Sequence, residues 1–323
     1  MSSRTTDTDS PPVFSPVAAV LLAVLAASTA SIFVRYAQTS APSLAIAAWR
    51  MLIATTVLVP IALARNRRDL AQVSRRDLAL IGLSGASLAV HFATWITSLA
   101  YTTVASSVVL VSIAPLFVAL LSPALLRERI ERRAAIGIGL AFIGVVVIAA
   151  NDACASSAGN MACPSWSELL GGQAIQGDLL ALGGAAAVAG YMLIGRHVRT
   201  RMALVPYITL TYGAAAVVLV AMTMLARRPL LGFPAATYGW IVLLALIPQL
   251  MAHSTYNWAL KYLPAAFVSI SLLGEPAGST ALAFVLLGET PSGLKLAGAA
   301  LILLGIVLAL RRPARPAQVQ GGS

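Results

Sequence analysis

The chain has 323 residues, of which 59% are hydrophobic and only 10% charged, with a mean hydropathy of +0.87. That is more apolar surface than one water-soluble core can hide, so the chain belongs in a bilayer. A net charge of +11 would suit nucleic acid, but the basic residues fall in clusters between apolar runs, where they act as topological signals, and nucleic acid is excluded as a partner.

Residues 1–14 open with the polar MSSRTTDTDSPP and are expected to form a disordered tail. The first apolar run, 15–36, is long enough to span and ends in SIFVRY. A cleaved signal would instead have a short apolar core and a small-residue cleavage site, so this run is taken as retained. Further runs follow at 43–64, 78–99, 103–126, 134–150, 177–195, 204–226, 237–260, 264–287 and 293–310. Each is close to the ~20 residues a helix needs to cross ~30 Å of hydrocarbon. None alternates with period two, as a barrel strand would. The expectation is an all-α integral membrane protein with ten transmembrane helices, held by the lipid bilayer.

With the N-terminus placed in the cytoplasm, most of the 22 Lys and Arg fall on the inner side, including Arg65, Arg67, Arg68, Arg75 and Arg76 and the tail Arg311, Arg312 and Arg315. The outer side keeps Arg35, Arg227, Arg228 and Lys295. This asymmetry predicts both termini, including the 311–323 tail, in the cytoplasm. It also puts the loop 151–176 outside, with the two cysteines of the chain, Cys154 and Cys163. They could form a disulfide in an oxidising compartment or stay free. With no His or third thiol nearby, metal binding is not expected there.

Shifted by 161 positions, the two halves match without a gap. Arg35 falls on Arg196, Tyr101 on Tyr262, Pro115 on Pro276, Glu128 on Glu289, Gly137 on Gly298 and Gly144 on Gly305. Tyr, Pro, Glu and Gly sharing one offset is internal repetition rather than composition. Five spans per half make the second half enter the membrane upside down, which predicts two inverted five-helix repeats, 15–150 and 177–310.

The fourth-run patterns SIAPLFVALLSPALLRERI (112–130) and LLGEPAGSTALAFVLLGETP (272–291), each followed by a Gly-spaced fifth helix, resemble the paired EamA domains of the drug/metabolite transporter superfamily. HFATWITSLAYTTVASSVVLVS and LIPQLMAHSTYNWALKYLPAAFVS are similar to a bacterial branch with histidines in the third and eighth helices; a Gly often found before the second histidine is Ala252 here. The resemblance covers about 15–310. It implies a central substrate cavity between the halves, alternating access and, by analogy, export across the bacterial inner (plasma) membrane of small organic metabolites such as amino acids or drugs. It implies no particular substrate.

The polar residues point to a cavity independently. Ser84, Ser87, His91, Thr94, Trp95 and Ser98 form one stripe on the third run, and Gln249, His253 and Asn257 form another on the eighth. Ser271, Glu275, Gly278 and Ser279 share a face of the ninth, and Ser28, Ser31 and Arg35 one of the first. Such faces turn inward, away from lipid. The expected cavity lining is therefore His91, Thr94, Trp95, Gln249, His253, Asn257, Trp258 and Glu275, although serine stripes also serve as helix glue and a buried His can simply bond a carbonyl. A carboxylate near the bilayer centre costs ~2.5–3.5 kcal/mol and must be paired, hydrated or protonated. Glu275, whose repeat counterpart is Ala114, is thus a candidate proton carrier, with His91 and His253 as titratable neighbours, or a partner for a cationic substrate group. Pro115 and Pro276 are expected to bend their helices and release the carbonyls of Val111 and Leu272. Arg50 is expected to snorkel to the surface as an anchor beside Trp49.

Other classes fare worse. There is no GxSxG, no HExxH and no phosphate-binding Gly loop with Lys, so neither an enzyme nor ATP-driven transport is expected, and no cofactor. A membrane-embedded sensor, or an intramembrane enzyme without a recognised motif, is the alternative to a transporter. Small-residue faces, Gly183 with Ala187 and Ala186 with Gly190, allow tight packing either between repeats or in a homodimer.

Overall fold

A backbone in hydrocarbon has no water to bond, so each apolar run must satisfy its own amides, and each becomes helical. The computed structural model describes residues 15–126, 132–154, 172–263, 268, 271–272 and 274–310. Among these, seven helices are long and apolar enough to cross a membrane: Pro16–Gln38, Ser43–Arg65, Arg75–Ser98, Val104–Leu121, Gln173–Arg199, Leu204–Leu225 and Ala235–Tyr262. Helices at Arg132–Cys154, Gly274–Leu287 and Gly293–Leu310 occupy the other apolar runs. Glu128 and the Cys154–Cys163 pairing lie outside the described residues.

Packing follows the repeat. Arg132–Cys154 lies along Gly293–Leu310, and Ser43–Arg65 along Leu204–Leu225; each pair joins an element to its own counterpart. Arg75–Ser98 packs on Gln173–Arg199, and the counterpart contact, of Ala235–Tyr262 with Pro16–Gln38, is also present. Close approach rests on small residues. A Cβ on Gly144 would sit 2.6 Å from the Gly298 carbonyl oxygen, and one on Gly278 would sit 2.4 Å from Ser28 Oγ. Gly184, rather than Gly183, faces the third helix: a Cβ there would meet Thr94 and Trp95, whereas one at Gly183 meets nothing within 4 Å. Large apolar side chains such as Leu22, Phe142, Val217, Leu225 and Val285 are exposed, as lipid-facing groups are.

Several spans are broken where the sequence pattern reads as continuous. The first is interrupted at Thr29, whose hydroxyl donates to the Ala26 carbonyl at 2.8 Å. The fourth breaks at Ser112–Ile113 and restarts at Ala114, so Pro115 sits in a first turn, where its missing N–H leaves no gap in the helix. The ninth restarts at Gly274, and the Leu272 carbonyl accepts from the Glu275 amide at 2.9 Å. That carbonyl is therefore not released by Pro276, contrary to expectation. The eighth span contains a π-helical stretch, Ala245–His253, with Pro248 inside it. The third helix, its repeat counterpart, runs unbroken.

Candidate functional site

The breaks converge. Beside the breaks in the first and fourth spans, the π-helical stretch of the eighth and the start of Gly274–Leu287, a cavity of about 60 Å³ opens, lined in part by Ala27, Ala30, Ser112, Pro115, Pro248 and Leu272. That is room for a few waters, and well below the ~300 Å³ or more of a drug-sized site. Its polar wall is Arg50, His91, Trp95, His253, Glu275 and Ser279.

Each of these is held by a neighbour. His91 lies on the face of the third helix against Gln173–Arg199, and its Nδ1 is 2.9 Å from the Gly184 carbonyl oxygen. A carbonyl only accepts, so Nδ1 carries a proton and donates it to Gly184. Trp95, one turn on, stacks on the His91 ring at 6.1 Å with 2° between planes. The His253 ring stands edge-on to Phe92 at 5.4 Å and to Tyr256 at 5.9 Å. Glu275, in the first turn of Gly274–Leu287, accepts from the Tyr256 hydroxyl at 2.9 Å. Ser279 Oγ donates to the Ser28 carbonyl at 2.9 Å, which closes the first helix against the ninth.

Four expected lining residues fall elsewhere. Gln249 is fully buried and accepts from Arg50 Nε at 2.8 Å, so it stands behind the wall. Asn257 Nδ2 reaches the Tyr191 hydroxyl at 2.5 Å and the His253 carbonyl at 2.7 Å. Thr94 spends its hydroxyl on the carbonyls of Val90 and His91. Trp258 packs on Tyr262, with ring centroids 4.9 Å apart. Helical stripes predict a face but not the depth at which a neighbour covers it. Ser84 is one consequence, since it bonds the Tyr207 hydroxyl at 2.9 Å as helix glue rather than facing the cavity.

Arg50 is the residue that sequence reasoning misplaced. It does not snorkel: its relative exposure is 0%, and its guanidinium carbon lies 4.0 Å from the centre of the Phe92 ring. The signal available was its depth in the second span opposite the Gln249 stripe, but only packing shows that the two meet.

The EamA-like transporter family matches residues 14–150 and 175–311, which is most of the chain and both repeats. The chain belongs to this family. It is similar, at 28% identity over 86% of its length and 92% of the relative's, to an uncharacterized transporter of Archaeoglobus fulgidus. A protein of Streptantibioticus cattleyicolor named a probable terminal-alkyne amino-acid exporter is 27% identical over 80% of this chain and 82% of that one. A crystal structure at 21% identity superposes with a TM-score of 0.64 over 91% of this chain and 97% of that chain, a likeness of fold alone. As an EamA-family member this is a multi-pass membrane transporter, in contact with lipid and with a small-molecule substrate. Its cavity is where elements of both repeats meet.

Proposed function

We propose that this EamA-family protein is a secondary transporter or facilitator that exports small organic metabolites across the bacterial inner membrane by alternating access. The observation that carries this is the cavity itself, which lies where discontinuous spans from both matched repeats converge, as in inverted-repeat carriers. Ten spans, cytoplasmic segments 1–14 and 311–323 and an outer loop 151–176 complete the reading. The charge asymmetry of the basic clusters supports that orientation. Export is favoured by the S. cattleyicolor relative, which is named a probable exporter. At about 60 Å³ the cavity must enlarge to admit a metabolite, and the helix breaks at Thr29, Ser112–Ile113 and Ala245–His253 are where the spans can flex.

Substrate would sit among His91, Trp95, His253 and Glu275, with Thr94, Gln249, Asn257 and Trp258 as the supporting shell. Glu275 is the candidate coupling group, because a carboxylate buried in a membrane with one hydroxyl partner has reason to bind a proton or a cation. The test is uptake of a pooled metabolite mixture into proteoliposomes, with and without an imposed pH gradient. Accumulation driven by the gradient and lost in Glu275→Gln is the expected result. Downhill flux indifferent to both would make the protein a facilitator and Glu275 structural. If no solute moves beyond the level of empty liposomes, the membrane-embedded sensor becomes the better reading.

A further inference from the structure

Arg35, Arg227, Arg228 and Lys295 lie on the outer side of the proposed orientation, where the charge asymmetry gives a basic residue no topological role. Two of them have partners: Arg35 pairs with Glu289, and Lys295 Nζ donates to Thr103 Oγ1 at 3.0 Å. Arg227 and Arg228 are exposed and form no ion pair among the described residues.

Their place in the chain is strained. Leu204–Leu225 ends in a turn in which the Arg227 amide donates to the Met224 carbonyl at 2.9 Å and the Arg228 amide to the Thr223 carbonyl at 3.0 Å. Such a turn needs a left-handed residue just past the cap, where glycine is the usual choice because it carries no Cβ. Here that residue is Arg227, at φ 51°, the one non-glycine residue with positive φ among the described residues. The helix dipole does not call for it, since Arg228 supplies a cation at the same terminus without strain. A strained arginine with no ion pair in the protein points to a partner outside it.

The surroundings identify that partner. The flanking apolar side chains are bare: Met224 is 65% exposed, Leu225 84% and Leu231 68%. The loop is pinned to an aromatic band. Trp49 Nε1 donates to the Leu230 carbonyl at 2.6 Å, the Trp49 ring meets Tyr238 edge-on at 6.0 Å, and Phe233 lies 5.7 Å from Tyr238. Trp and Tyr rings of this kind sit at the level of lipid headgroups. The two guanidiniums are thus held where lipid phosphates are, with apolar groups beside them for acyl chains. A free phosphate would use the charges but leave Leu225 and Leu231 bare.

We propose that Arg227 and Arg228 form a binding site for an anionic phospholipid, whose phosphate takes the two guanidiniums and whose acyl chains lie along Met224, Leu225 and Leu231. Guanidinium forks match phosphate oxygens, and two of them favour a headgroup of net negative charge over a zwitterionic one. The site involves neither the central cavity nor the transported substrate.

The test reads lipid enrichment at one point on the surface. Full-length protein carrying Cys154→Ser, Cys163→Ser and Ala221→Cys is labelled with a fluorophore at position 221, which is exposed one turn before Leu225. It is placed in phosphatidylcholine nanodiscs that contain a small fraction of either phosphatidylglycerol or phosphatidylcholine with a nitroxide quencher on one chain. The expected result is that phosphatidylglycerol binds beside Ala221 about 25-fold more tightly than phosphatidylcholine, about fivefold for each arginine. The preference should fall below about twofold in Arg227→Asn/Arg228→Gln, where asparagine tolerates the left-handed turn. It should also be below about twofold for a fluorophore at Val285→Cys, which is 74% exposed on the ninth helix. Equal quenching by the two lipids at Ala221 overturns the proposal and leaves the arginines as solvated loop charges. So does a preference that survives the double variant, or one as large at Val285, since either is general enrichment around a cationic protein. Comparison of Ala221 with Val285 keeps both arginines in place, so it decides the proposal even if the double variant fails to fold.

Discussion

Arg35 and Arg196 stand 161 residues apart and make the same contact. Arg35 Nη2 donates to the Thr102 carbonyl at 3.1 Å, and Arg196 Nη1 to the Leu263 carbonyl, the repeat counterpart, at 3.2 Å. The centre behaves otherwise. Arg50 has Thr211 as its counterpart, Glu275 has Ala114, and His91 has Ala252. Scaffold at the ends follows the repeat, and charge at the cavity breaks it. A duplicated fold needs both halves to pack alike, whereas one cavity shared by the two halves needs only one copy of each polar group.

The Arg35 end is also closed by chemistry its counterpart does not display among the described residues. Gly288, in the left-handed region at φ 69°, turns the chain after Gly274–Leu287 so that Glu289 points back. Glu289 then pairs with Arg35 at 2.9 Å and accepts from the Val104 amide at 2.9 Å, at a helix N-terminus where an anion is favoured. First, fourth and ninth spans are thereby tied at one end.

The sharpest way to break the contrast is to exchange the counterparts. Arg50→Met should reduce transport by at least about 30-fold, whereas Thr211→Val, nearly isosteric at the equivalent site, should stay within about twofold of wild type; flux through proteoliposomes measures both. Equal losses would mean that the centre is as symmetric as the ends. Next in size is Gly278→Val, which drives a side chain into Ser28 and should cost about 1–3 kcal/mol of overpacking, read as a lower melting temperature in detergent. Glu289→Gln should weaken the tie to Arg35 by about 1 kcal/mol, or roughly fivefold in the open-to-closed balance. Labelling rates of a cysteine placed at Ser112 should rise from that side only, with substrate affinity unchanged. Smallest is Arg201→Ala. Its pair with Asp77 at 3.0 Å has Arg201 about half exposed, so stability should change by less than about 1 kcal/mol and transport not at all.

Legibility followed the same division. The repeat, the helical class and the inward stripes were readable because apolar length and a common offset are one-dimensional signals. His91, Trp95, His253 and Glu275 reach the cavity along the faces their spacing defines. Gln249, Thr94, Asn257 and Trp258 share those faces but are intercepted by Arg50, by the Val90 and His91 carbonyls, by Tyr191 and by Tyr262 respectively. The π-helical stretch was signalled only by Pro248, which could equally have marked a simple kink.

By itself, then, the chain determined that it lives in a bilayer as helices and that its halves are copies, since each follows from the cost of bare backbone in hydrocarbon and from residue identity at a fixed shift. Tertiary structure decided which polar groups meet. Arg50 reads as a surface anchor in isolation, and becomes the buried cation of the cavity only because Gln249 and Phe92 arrive from other helices to hold it. Partnership of that kind depends on distances between segments about 40 and 200 residues apart, and no local pattern encodes such distances.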